Sequence, residues 1–191
     1  MASANTSLPT ERAIPLSKRE LRALRGGFTL FIISMIIPFL VLINVRYIMA
    51  DSYVSPEANQ MIGLSAAIVM LISAGIARAG FVAARKDNQA NVQLSLAYAM
   101  ATGIIGLVLV FVQLVDGSVN PVSHFGEVFL IILGTVAFYL ICGILTLFSA
   151  YRRVRMHGVG GLNYWGVESA AHFWMFVSLA WIVMYVVMYL I

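Results

Sequence analysis

Apolar residues in this chain gather into five long runs, separated by short stretches that hold most of the charge. A helix needs about 20 apolar residues to cross the hydrocarbon core of a bilayer. Runs of that length lie near residues 27–49, 60–82, 94–115, 127–150 and 167–190. They do not alternate apolar and polar positions as the strands of a membrane barrel do, and lipid offers no water to satisfy an open backbone. The pattern predicts an all-α polytopic membrane protein, a bundle of five transmembrane helices over residues 27–191, preceded by a basic polar tail over residues 1–26. The first run is too long for the apolar region of a secretory signal, and the tail shows no A-x-A-like cleavage pattern. The run is therefore expected to be retained as a helix.

Composition points the same way: 61% of the 191 residues are hydrophobic and 10% charged, where soluble domains carry about 25% charged residues. Basic residues mark alternate ends of the runs. Arg12, Lys18, Arg19, Arg22 and Arg25 precede the first, Arg85 and Lys86 follow the second, and Arg152, Arg153 and Arg155 follow the fourth. The first loop, the third loop and the carboxyl end carry none, Arg46 aside. The positive-inside rule then predicts a cytoplasmic amino terminus and a carboxyl terminus outside, on the periplasmic face. With the basic residues beside apolar runs, the net charge of +4 points to anionic lipid headgroups and not to nucleic acid.

Details within the runs suggest how the helices pack. In the second, Gly75, Ala79 and Ala83 recur every four residues, and Ser73 with Ala77 makes another small-residue stripe; such spacing lets helix backbones approach. Pro38 removes a backbone hydrogen bond from the first helix and is expected to kink it.

Candidate chemistry is sparse. Cys142 is the sole cysteine and lies in an apolar run, which leaves no disulfide or thiolate cluster within the chain; it reads as a small buried hydrophobe. His124 and His157 fall in loops and His172 about one turn into the fifth helix, so no pair is placed to hold a haem or a copper ion at membrane depth. Arg78 and Arg46 lie near helix ends, where their side chains can reach lipid headgroups. Glu168 begins the fifth helix, where the helix dipole favours a carboxylate. Gly158, Gly160 and Gly161 form a flexible turn without the strand and helix of a phosphate cradle.

The fifth run is the most specific. Over residues 166–181 it resembles the last helix of subunit III of haem-copper terminal oxidases, in which Gly-x-Glu leads to aromatic-Trp-His-Phe-Val-Asp-x-x-Trp. Gly166, Glu168, Trp174, Phe176, Val177 and Trp181 match in register. The segment from Gly80 to Asp87 resembles the end of the second helix of the short, five-helix form, and Gln113 with Asp116 corresponds loosely to a Gln-x-x-Glu ending the third. Departures are equally definite. Met175 stands at the family's His, Ser178 at its Asp, and Met35, after Ser34, about where members have a buried Glu. The His-Gly-x-His of the fourth helix has no counterpart, and residues 134–139 lie there instead.

The resemblance implies a divergent, non-catalytic subunit of a respiratory oxidase in a bacterial cytoplasmic (inner) membrane. Haem and copper would reside in partner subunits I and II, with no cofactor in this chain, and the complex would reduce O2 to water with proton translocation. Phospholipids would bind between the helices, sustained turnover would be supported, and a supercomplex would be a further level of assembly. Trp174 and Trp181 are expected to act as aromatic anchors toward a partner. Two other classes stay open on the residues alone. One is a small transporter or channel, for which Asn44 and Gln113 are the nearest polar candidates; the other is a structural or assembly membrane protein, for instance of another respiratory complex.

Overall fold

A computed structural model describes residues 17–51, 53–159 and 164–191. Arg12, Gly160 and Gly161 lie outside the described residues. Five helices form, each long and apolar enough to cross a membrane: α1 Lys18–Ala50, α2 Gln60–Arg85, α3 Gln89–Val115, α4 His124–His157 and α5 Trp165–Tyr189.

The helices run past the apolar stretches, chiefly at the basic end of the bundle. A helix satisfies its own backbone and needs no apolar side chain to continue, so its ends are set by capping and not by hydropathy. α1 begins at Lys18 because Ser17 and Glu20 form a capping box, with the Glu20 amide donating to Ser17 Oγ at 3.2 Å and the Ser17 amide to Glu20 Oε2 at 2.8 Å. Lys18, Arg19, Arg22 and Arg25 are therefore helical rather than part of a tail. Asn59, Asn88 and Ser123 cap α2, α3 and α4 in the same way through their side-chain oxygens. At the other end of α4, Gly158 takes φ +73°, which ends the helix after His157.

α2 and α3 form a tight hairpin. Ser73 Oγ donates to the Ala99 carbonyl at 2.8 Å, and a Cβ on Gly80 would meet Ser95 Cβ at 3.0 Å. Of the two small-residue stripes on α2, the one holding Ser73 and Ala77 is buried, while Gly75 and Ala79 stay exposed. α5 sits centrally against both α2 and α4, with 56% of its most apolar stretch buried. The equivalent figure for α1 is 6%, and among the described residues α1 packs only on α4 and α5. Pro38 does not interrupt it: α1 is one helix from Lys18 to Ala50.

Candidate functional site: a cleft beside α5

Trp174 organises the bundle. It is fully buried, and its indole Nε1 donates to Ser73 Oγ of α2 at 2.9 Å. The ring lies between two glycines on different helices. A Cβ on Gly103 of α3 would stand 2.5 Å from Trp174 Cζ2, and one on Gly143 of α4 would stand 2.6 Å from Cε3. One side chain from α5 thus fits against α2, α3 and α4 at once. Trp181, about two turns further along the same face, is also fully buried. The expectation that these tryptophans anchor a partner is corrected by their burial: both are enclosed within the chain, Trp174 in the space that Gly103 and Gly143 leave open.

The replaced family positions are absorbed locally. Ser178 is buried and returns its hydroxyl to the Trp174 carbonyl at 2.9 Å. Met175 and Phe176 are half-buried, and the Phe176 ring lies 5.9 Å from that of Phe39 on α1. Met35 faces Tyr139 of α4, whose hydroxyl donates to its sulfur at 3.6 Å. Tyr139 belongs to the stretch that stands where the His-Gly-x-His was sought, so the two departures meet each other across the α1–α4 contact.

Glu168 does more than complement a helix dipole. It accepts two hydrogen bonds from the Arg25 guanidinium, from Nε and Nη2, each at 2.9 Å, a bidentate pair joining α5 to α1. Tyr164 Oη accepts a longer bond from Arg25 at 3.4 Å. His172 is exposed, with Nδ1 2.7 Å from the Glu168 carbonyl and its ring beside Phe81. Gly166 lies against Arg153, whose Cδ a Cβ there would approach to 3.5 Å.

Between α1, α4 and α5 opens a cleft of about 650 Å3. Phe28, Phe31 and Met35 line its α1 side, Tyr139 and Cys142 its α4 side, and Trp165 and Phe173 its α5 side. Arg153, Thr146 and Ser149 add polar atoms toward the basic end. Cys142 is therefore half-buried on a cleft wall rather than sealed in the core. A smaller cavity of about 330 Å3 lies on the other flank of α1, bounded by Arg25, Thr29, Glu168 and His172. The T-shaped contact of Phe28 with Trp165, at 5.8 Å, divides the two.

The arginines expected at headgroups differ in placement. Arg78 is exposed on α2. Arg46 is turned inward and buried, its guanidinium donating to the carbonyls of Asp51 and Tyr53 and lying 5.2 Å from the Phe125 ring. The loop after α1 folds back over it, which a count of residues to the helix end does not reveal. Asn44 donates to the Leu40 carbonyl of its own helix at 2.7 Å, and Gln113 is buried near Asn59. His124 and His157 stand at opposite ends of α4. Among the described residues, no group of three or more His, Cys, Asp or Glu is placed to hold a metal ion.

Comparison with known proteins adds one relative. Cytochrome c oxidase subunit 3 of Synechocystis sp. (strain ATCC 27184 / PCC 6803 / Kazusa) is 26% identical over 141 residues. The chain is similar to an oxidase subunit III. The likeness covers 72% of this chain and 60% of that protein, so the chain spans about 60% of the length of the curated relative it matches. No family model matches. A likeness over 72% of the chain extends beyond what α5 alone could supply.

Proposed function

We propose that this chain is the non-catalytic subunit III of a haem-copper oxidase complex, a divergent short form whose haems and copper lie in subunits I and II. The observation that carries the reading is the likeness to a cytochrome c oxidase subunit 3 across 72% of a five-helix chain. The chain lies in a bacterial inner membrane with its basic end in the cytoplasm. Its task is to pack beside subunit I and to hold lipid, and that support sustains turnover and the proton uptake of the catalytic subunits. The cleft beside α5 supports the lipid role: its aromatic walls suit an acyl chain, and Arg153 at its basic end suits a phosphate. Arg78, exposed on α2, takes a second headgroup.

Purification of the tagged chain in mild detergent tests the reading. Co-purifying large subunits with haem absorbance at roughly 600 nm, in the range of a-type haems, are the expected result. A haem-free homo-oligomer would overturn it.

A further inference from the structure

We propose that the part of α1 before Pro38 is a hinged lid on the cleft, with the Arg25–Glu168 ion pair as its catch. Every α1 residue that lines either cavity precedes Pro38: Phe28, Phe31 and Met35 on one flank, Arg25, Thr29 and Ile32 on the other. Beyond Pro38 the helix is anchored. Phe39 is buried, its ring 4.9 Å from Tyr139 and 5.9 Å from Phe176, and Arg46 ties the following loop against Phe125. Pro38 has no N–H to give to the Ser34 carbonyl, so the backbone bond that would stiffen α1 is missing where anchored and unanchored parts meet.

Apart from Leu21, which is buried, and the Tyr139–Met35 bond, the lid is lightly held. Leu30, Ile33 and Ile37 face away from the bundle, and its ring contacts, Phe28 with Trp165 and Phe31 with Phe173, are apolar. Lipid tails can replace such contacts at little cost. The bidentate pair is directional and charge-assisted, as those apolar contacts are not, and the Glu168 side chain is 9% exposed against 44% for Arg25. Releasing the pair lets α1 bend at Pro38 and opens the cleft sideways to a bulky apolar molecule; re-forming it closes the wall. A rod-like α1 would have to leave α4 along its whole length to achieve the same.

Electron-spin distance measurements on the full chain in lipid nanodiscs test this, in a Cys142→Ser background. One label pair spans the lid, Leu24→Cys with Met156→Cys; a control pair spans the anchored end, Ile48→Cys with Val122→Cys. Glu168→Gln should raise the long-distance population of the lid pair by about five- to thirtyfold, with the control pair unmoved. Reversing the pair, Arg25→Glu with Glu168→Arg, should restore the closed distribution, and adding Pro38→Ala to Glu168→Gln should shrink the open one. An unchanged lid pair in Glu168→Gln would sink the proposal. So would equal movement of both pairs, or an open population indifferent to Pro38→Ala. The test needs no co-purifying subunit and no haem, so its outcome is separate from that of the oxidase reading.

Discussion

At the scale of single residues, the informative contact is Trp174 between Gly103 and Gly143. Motif matching singled out the tryptophan, but nothing in the order of residues announced its partners, since glycines 40 positions apart on α3 and α4 become neighbours only through the bundle. Trp174→Ala should destabilise the chain by about 3 kcal/mol through the void it leaves. Ser73→Ala, which removes two buried hydrogen bonds and leaves the Trp174 Nε1 proton without its acceptor, should cost about 2 kcal/mol. Gly103→Ala and Gly143→Ala should also destabilise, because the added Cβ stands 2.5–2.6 Å from a fully buried ring that is held by its bond to Ser73. Gly134→Ala meets nothing within 4 Å and should cost nothing. Steric-trapping measurements in bicelles would rank all five variants; equal values for Gly134 and Gly143 would contradict the wedge. The same scale explains the replaced polar positions. A thioether opposite a tyrosine and a serine bonded to its own helix satisfy local demands without a buried charge, so Met35 and Ser178 can stand where the resemblance would place carboxylates.

At the scale of elements, hydropathy located the helices but not their ends. The Ser-x-x-Glu signature at Ser17 and Glu20 was present in the sequence and marks the start of α1, yet a count of apolar residues places that start near residue 27. The difference matters because the extra turns carry Arg25 to Glu168. Ser17→Ala removes a capping bond and should weaken the first turn by about 1 kcal/mol. Hydrogen exchange would show it as faster exchange at the Glu20 amide with no change at Asn91, which Asn88 protects in α3. Likewise, both α2 stripes had helical spacing, and only tertiary packing decides that Ser73 and Ala77 face inward. A small-residue repeat states that close approach is allowed, not which neighbour makes it.

At the scale of the whole molecule, the five-helix plan was legible because lipid imposes a single solution on each long apolar run, whereas the cleft was not, because it exists only where α1 lies apart from α4. The charge asymmetry is a whole-molecule property too. Lys18, Arg22, Arg85, Lys86, Arg152 and Arg155 all sit at one end of the bundle, and the loops at the other end carry Asp51, Glu57 and Asp116. Each basic residue near an anionic leaflet contributes about 1 kcal/mol of attraction, so a cluster of this size favours one orientation strongly and should place that end in the cytoplasm. Two exposed positions read it out in a Cys142→Ser background: Val122→Cys in the α3–α4 loop and Met156→Cys near the end of α4. A membrane-impermeant maleimide added to intact spheroplasts should label Val122→Cys at once and Met156→Cys only after permeabilisation. The reverse order would overturn this orientation, since the charge pattern favours the first.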